Sequence, residues 1–308
     1  MLPNRTAPLF LGIATLLLAP TLFAQTCERI YLFQDRFEPG FSDRIAEFRI
    51  ISLELQHPHT IFDDPGDFDL FCQDATNDPM TVLGDEVFAG VNPELNARID
   101  ALELNILNQF NPFGQEDGFE SCLVGLEAEC ETQSRCSAEA DGLFLQVPTS
   151  IQRTGVCVDA IDGLFAGTWP DGETTQPNLP EAGSAGCHVS TPTDTMVTLS
   201  LEDSDLGLFL RDLVVAGRFD DEPPEAMLNG VMYGFLTEED ANDIIITVES
   251  DIEPFTFNLG EDILPSDGPG DGDACQARIH CDGPDARVTH EGQCGWWFVF
   301  NFTAERIR

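Results

Sequence analysis

The sequence contains no lysine, and its 14 basic residues face 55 acidic ones. The formal net charge is −41 over 308 residues. Nucleic acids and anionic lipid surfaces are bound through basic footprints, which this composition lacks. The absence of lysine also excludes covalent catalysis by a lysine amine. We therefore predict no nucleic-acid partner, and a salty or calcium-rich setting that screens the repulsion between carboxylates.

Long apolar runs are also scarce, and the clearest one lies near the start of the chain. Residues 9–18 are largely apolar, Arg5 precedes them, and the small residue Ala24 follows at the expected cleavage distance. This pattern is typical of a secretory signal, with cleavage expected after Ala24. No later run approaches the ~20 apolar residues of a membrane-crossing helix. We expect a mature protein in the periplasm or outside the cell, without membrane insertion.

All ten cysteines follow Ala24, and an even number in an oxidising compartment predicts disulfides. Proximity along the chain favours a Cys157–Cys187 disulfide. It also favours one pair inside each of two triplets, which are Cys122, Cys130 and Cys136, and Cys275, Cys281 and Cys294. Each triplet leaves one cysteine to pair with Cys27, Cys72 or the other triplet. A zinc site made by Cys275, His280, Cys281 and Cys294 is the disfavoured alternative, because the spacing matches no standard finger or ribbon.

The clearest structural pattern lies in the second half of the chain, where apolar and polar residues alternate as in half-buried strands. Strands are predicted over residues 196–201, 206–219, 228–236, 244–248 and 255–259. Thr237 precedes three acidic residues, which predicts a short helix over 237–243 with Thr237 as its cap. The run 295–302 predicts a strand with one core-sealing face, made by Trp296, Phe298, Phe300 and Phe302.

The first half has weaker signals. Strands are predicted over residues 48–56, 142–147 and 155–161. The Asn92-Pro93 pair has helix-start chemistry, and Leu95 and Ile99 lie at helical spacing. Alternation from Leu102 onward fits a strand, so this segment is ambiguous, with a strand favoured from Leu102.

These patterns predict a mainly β fold: a disulfide-containing, β-sandwich-like architecture with one or two short helices. We expect a signal peptide over 1–24, a β-rich half over 25–166, a loop over 167–186 and a second β-rich half over 187–308. The loop is rich in Pro, Gly, Ser and Thr, which is typical of a boundary. The halves form either two packed domains or one continuous domain.

Calcium binding is the strongest chemical hypothesis, because hard divalent ions take several oxygen ligands from flexible loops. Two acidic turns offer such ligands: Asp63, Asp64, Asp67 and Asp69 in the first, and Asp267, Asp271 and Asp273 in the second. Neither turn matches the full EF-hand loop. In a chain this acidic, the alternative is a pair of solvated loops.

Other candidate residues are isolated. His57 and His59 could hold a transition metal with a nearby carboxylate, although Pro58 between them favours a structural strand end. Trp169 lies in a turn-rich loop, where stacking of a sugar ring on its indole is the hypothesis. No catalytic motif is complete.

Two further histidines and one serine lie in predicted loops. His188 and His290 lie beside or within cysteine clusters and are predicted as loop residues, not general bases. Ser184 is the nearest approach to a nucleophile elbow, but alanine stands where that motif has its first glycine.

One short segment resembles known sequences. Phe33, Asp35, Phe37 and Glu38 form a Phe-x-Asp-x-Phe-Glu pattern similar to a segment found in many uncharacterised secreted proteins of Gram-negative bacteria. Arg36 stands where that segment usually has glycine. The resemblance implies a secretion context and no activity.

We therefore predict a secreted, non-enzymatic β-rich module with a surface, matrix or binding role, for which Ca²⁺ is the candidate stabilising ion. A glycan or protein at the cell surface is the expected kind of partner. The alternative is a secreted hydrolase whose acid pair or serine the sequence does not reveal. A pocket of converging carboxylates with raised pKa values would favour that hydrolase.

Overall fold

A computed structural model describes residues 27, 45–63, 72–82, 85–114, 116–158, 178–201, 204–220, 223–248, 255–264 and 287–307. Strands dominate this part of the chain. They are β1 (Ala46–His57), β2 (Ile61–Asp63), β3 (Cys72–Asp74), β4 (Met80–Val82), β5 (Asp85–Phe88), β6 (Ile106–Asn111), β7 (Glu120–Thr132), β8 (Arg135–Gln152), β9 (Cys187–Ser190), β10 (Thr193–Leu201), β11 (Ser204–Phe219), β12 (Ala226–Thr237), β13 (Ile245–Val248), β14 (Phe255–Asn258), β15 (Val288–His290) and β16 (Gln293–Arg306). The described helices are α1 (Val91–Ala101), α2 (Glu238–Asn242) and a π-helical turn, Leu259–Ile263.

The main sheet closes on itself. Antiparallel neighbours follow the order β1, β6, β7, β8, β9, β11, β12 and β16, and β16 pairs again with β1. The strands thus form a closed eight-strand barrel where the sequence predicts a sandwich. Alternating patterns are the same in both architectures, and here the β1–β16 pairing removes the open edges that two separate sheets would keep. Strands from both sides of residues 167–186 share the sheet.

Aromatic side chains fill the barrel. Phe48, Phe110 and Phe219 are fully buried, with ring centroids 5.6–5.9 Å apart. β16 contributes the predicted face, and its members Trp296, Phe298, Phe300 and Phe302 all belong to the main core. Gly230 on β12 makes room for them, because a Cβ atom there would collide with the Phe302 ring. The prediction of a core-sealing C-terminal strand is confirmed.

Helix α1 completes the wall beside β1. β1 pairs with β6 only through residues 46–49, and further along two asparagines of α1 bind its backbone. Asn92 accepts from the Leu55 N–H at 2.6 Å and donates to the Leu55 carbonyl at 3.0 Å. Asn96 does the same at Leu53, at 3.2 and 3.1 Å. Residues four apart along a helix and two apart along a strand are both separated by roughly 6–7 Å. The two carboxamides therefore match the spacing of the β1 backbone groups and take the place of a partner strand.

The ambiguous segment after Asn92 divides between helix and strand. Helix α1 runs to Ala101, Leu102 adopts a left-handed conformation (φ 64°) and β6 begins at Ile106. Buried Arg49 of β1 donates to the Ile99 carbonyl at 2.6 Å, near the end of the helix. A cation there complements the helix dipole.

Most predicted elements of the second half are present, with boundaries shifted by a few residues. Thr237 caps α2, and its hydroxyl accepts from the Asp240 N–H at 3.1 Å. The predicted strand 155–161 is not formed over its described part, where Val156 makes only an isolated bridge to Glu181. No helix in the described residues is both long and apolar enough to span a membrane.

Disulfides join Cys27 to Cys122, Cys130 to Cys136 and Cys157 to Cys187. The second is a pair inside the first triplet, and the third is the pairing that proximity predicts. Cys294 is disulfide-bonded as well, so it cannot serve as a thiolate ligand of zinc. These disulfide bonds fit an extracellular or periplasmic protein.

Candidate functional site

Most of the residues singled out from the sequence lie outside the described part of the chain. These are Asp64, Asp67, Asp69, Trp169, Asp267, Asp271 and Asp273. Asp63 ends β2, where its backbone pairs with Cys72 of β3. The acidic turns and the tryptophan therefore stay predictions.

His57 and His59 are both buried at the end of β1, with ring centroids 6.2 Å apart. The Nε2 atom of His59 lies 4.0 Å from the carboxylate of Asp74. Burial raises the pKa of Asp74, while hydrogen bonds from Thr76 act in the opposite direction. A carboxylate does lie near this histidine pair. In the described residues, however, the three donors do not gather closely enough for one metal ion.

His290 lies on the outside of the barrel, among aromatic side chains and next to a carboxylate. His290 ends β15, and Glu291 and Gly292 form the two-residue turn to β16, both with positive φ (48° and 81°). The His290 ring contacts Trp297 of β16 and Phe235 of β12, with centroids 4.8 and 4.9 Å away. This position corrects the sequence prediction of a loop residue.

The outer wall carries these rings because of strand register. Phe235 pairs directly with Trp297 across β12 and β16, and their centroids are 5.5 Å apart. Tyr233 lies two residues away on the same face, with its ring 6.0 Å from Trp297. Residues two apart on a strand share a face, so the three rings form one patch.

Asp212 reaches the patch from β11. The register of β11 with β12 shifts between Arg211 and Val214, and Asp212 adopts a φ of 50° within this irregular stretch. Its Oδ2 atom accepts a hydrogen bond from Nε2 of His290 at 2.8 Å. Burial, and secondly the charge of Asp212, raise the pKa of Tyr233. We call the assembled group the His290 cluster: Asp212, Tyr233, Phe235, His290, Glu291 and Trp297.

Helix α2 and β15 border the cluster. Arg211 contacts Gln293 and lies 3.4 Å from the carboxylate of Asp240. Arg287, which is buried, donates to Glu238 at 2.8 Å. These contacts tie the first turn of α2 to the strands that carry the cluster.

Three members of the cluster have donor atoms close enough to share a metal ion. The nearest oxygen or nitrogen atoms of Asp212, His290 and Glu291 all lie within 4.8 Å of one another. The side chains of His290 and Asp212 are 28% and 42% exposed, so solvent reaches them. The arrangement can bind a cation, accept hydrogen bonds or stack a ring against the half-buried Trp297.

The interior histidine has no such capacity. His188 lies in β9 inside the barrel, again a strand where the sequence predicts a loop. Burial lowers the pKa of His188 to about 3. Its Nδ1 atom has no hydrogen-bond partner in the described structure. A buried imidazole of this kind is neutral at ordinary pH and packs as a core residue.

Sequence reasoning missed the His290 cluster because its members come from four strands. One signal was available: Glu291-Gly292 separates residues 288–290 from the C-terminal strand by two residues, which is hairpin spacing. Comparison of the chain with protein-family models, curated proteins and solved structures finds no match. Any function must therefore be argued from the arrangement of these residues.

Proposed function

We propose that this protein is a secreted, non-enzymatic β-barrel module that binds a partner at the cell surface through the His290 cluster. A glycan is the partner that the chemistry of the cluster fits best. Ca²⁺ bound by the acidic turns around Asp63 and Asp267 would stabilise the module by offsetting its net charge of −41.

One observation carries the binding role: accessible rings and carboxylates meet on the outer wall, while the interior is filled. Trp297 is half-buried there, with Asp212 and Glu291 beside His290. An aromatic face flanked by acceptors suits a sugar ring, which stacks its C–H face and donates from its hydroxyls. Inside the barrel, Phe219 and its ring neighbours occupy the space. The outer wall is therefore the better place for a ligand.

A glycan array tests this proposal directly. The wild-type protein and a Trp297→Ala variant are compared with Phe144→Ala, which removes another half-buried ring on β8. We expect the wild type and Phe144→Ala to bind the same glycans. We expect Trp297→Ala to lose about ten-fold in affinity, which corresponds to about 1.4 kcal/mol for a lost aromatic contact.

Equal binding by all three proteins would contradict a role for the cluster. The wild type could instead bind no glycan but capture a defined cell-surface protein that Trp297→Ala does not capture. In that case the partner would be a protein and not a glycan. Circular dichroism of each variant verifies that it is folded.

A secreted hydrolase is the second candidate, favoured by the Asp212–His290 pair. A carboxylate 2.8 Å from an imidazole is the arrangement by which hydrolases orient a histidine base. In that case Nδ1 of His290, the ring nitrogen that does not face Asp212, would take a proton from a water molecule that attacks the carbonyl of a bound ester, and would then give this proton to the leaving alcohol. A hydrolase substrate screen with His290→Gln as the matched control distinguishes the two functions, because only an enzyme loses turnover.

A further inference from the structure

We propose that Asp212, His290 and Glu291 form a binding site for a divalent transition-metal ion, with Zn²⁺ as the expected occupant. This site is distinct from the acidic turns, for which calcium is the candidate. It does not depend on glycan binding, since the metal can bind whether or not Trp297 contacts a partner.

The distances between the donor atoms fit a shared ion. Zinc lies about 2.0–2.2 Å from nitrogen and oxygen ligands in a tetrahedral arrangement, so two ligand atoms of one ion are about 3.4 Å apart. The donor atoms of the three side chains already lie within 4.8 Å of one another. Side-chain rotations that move the exposed carboxylate oxygens by about 1–1.5 Å would bring the three donor atoms to that spacing. The metal would replace the proton that Nε2 of His290 shares with Asp212.

The imidazole is held in position before any metal binds. Phe235 is fully buried beneath the ring of His290, and Trp297 packs against it from β16. With both rings in contact, Nε2 points to Asp212 at 2.8 Å. Glu291 follows His290 in a tight turn, which keeps its carboxylate close. A positioned ligand loses less conformational entropy on binding.

The donor set favours a transition metal over calcium. One imidazole nitrogen and two carboxylates suit zinc and its neighbours, whereas calcium takes six to eight oxygens. Arg211, the residue before Asp212, is already paired with Asp240 and Gln293. The strongly negative protein also raises the local concentration of cations. Three protein ligands leave at least one coordination position open to water or to a partner.

The test is calorimetric titration of Zn²⁺ into full-length protein freed of metal by a chelator. The same titration is run on His290→Gln, Asp212→Asn and Glu291→Gln. Glu239→Gln is the matched control, because Glu239 is an exposed acid of α2 outside the three-residue set. We expect one saturable site in the wild type and in Glu239→Gln, and a loss of about ten-fold or more in affinity in each of the other variants.

Absence of saturable Zn²⁺ binding by the wild type would overturn the proposal, as would unchanged affinity in His290→Gln. An equal loss in Glu239→Gln would show that the acidic surface as a whole attracts the ion. Because Glu291 is exposed, Glu291→Gln keeps the test decisive if another variant fails to fold.

A parallel titration with Ca²⁺ separates this site from the acidic turns. We expect His290→Gln to leave calcium affinity and the calcium-induced rise in melting temperature unchanged, because calcium does not use imidazole. The zinc assignment would be wrong if Ca²⁺ displaced Zn²⁺ one for one and the affinity for Ca²⁺ fell in the same three variants. The site would then be a calcium site.

Discussion

His188 and His290 have similar aromatic neighbours but opposite chemical environments. Inside the barrel, His188 packs against Phe110 and Phe219 with centroids 4.8 and 5.6 Å away. On the outer wall, His290 packs against Trp297 and Phe235 at 4.8 and 4.9 Å. The rings therefore do not distinguish the two sites.

Water and a charged partner make the difference. His188 is completely buried, has no carboxylate among its described contacts, and its pKa falls to about 3 through desolvation. His290 is partly exposed and its Nε2 contacts the Asp212 carboxylate. Aromatic packing orients an imidazole in both places, but only the outer one keeps access to protons, metals and ligands. The comparison predicts that interior changes alter stability and outer changes alter binding.

The largest expected effect is on stability, from truncation of an interior ring. Phe219 is fully buried and contacts Phe48, Phe110, Phe113 and His188. Phe219→Ala should lower the free energy of unfolding by about 3–5 kcal/mol, the usual cost of removing a buried phenylalanine. Trp297→Ala should cost less than half as much, because that ring is only half-buried.

Urea unfolding at neutral pH, with disulfides intact, measures both losses. The midpoints should separate while the denaturant slopes stay equal. Equal destabilisation by the two variants would contradict the distinction between a structural interior and a functional outer wall, because Trp297 would then be part of the core.

Sequence patterns predicted those features that depend on neighbours along the chain. Alternation assigned the inward face of β16, and the hydroxyl of Thr237 followed by acids predicted the start of α2. Proximity predicted the Cys157–Cys187 disulfide and one pair inside the first triplet, without saying that this pair would be Cys130 and Cys136. These features need no knowledge of where distant segments lie.

Features that depend on register between distant strands were not predictable. Closure of the barrel depends on the pairing of β1 with β16, which come from opposite ends of the described chain. The alternation of apolar and polar residues within a strand does not specify which strand it pairs with. The contact of Asp212 with His290 needs the irregularity in β11 and the turn at Glu291 together. His188 likewise looked like a loop residue because β9 is only four residues long.

The stability of the protein at acidic pH should report on the interior histidine, His188. The pKa of His188 is about 3 in the folded protein, against about 6.5 when unfolded. Above pH 6.5 both states are neutral, so the histidine causes no pH dependence. Between pH 6.5 and about 3 only the unfolded state gains the proton, and stability falls by at most about 1.4 kcal/mol per pH unit.

His188→Gln removes the titrating ring and should flatten that fall. Other groups, including Asp74 with its raised pKa, titrate in both proteins and cancel in the difference. Urea unfolding at a series of pH values from 7 to 4 gives the two curves. A constant difference between wild type and variant over this range would mean that His188 takes up its proton in the folded barrel.

The smallest expected effect is confined to the outer cluster and concerns Tyr233. Burial, and then the negative charge of Asp212, raise the pKa of its phenol. Asp212→Asn removes the second cause and keeps the first. The pKa of Tyr233 should therefore fall, yet stay above that of a free tyrosine, because the ring is still half-buried. Glu129→Gln, which changes an exposed acid on β7, is the matched control and should leave the pKa of Tyr233 unchanged.

Ultraviolet absorbance of tyrosinate measures this shift with little overlap, because the chain has two tyrosines, and Tyr233→Phe identifies the signal of each. A lower pKa of Tyr233 in Asp212→Asn would show that the Asp212 charge acts across the outer wall on a second member of the His290 cluster. That charge is also required for the zinc site. An unchanged titration would mean that solvent screens Asp212 completely, so that the outer wall would differ from the interior in exposure alone and not in a shared electrostatic field.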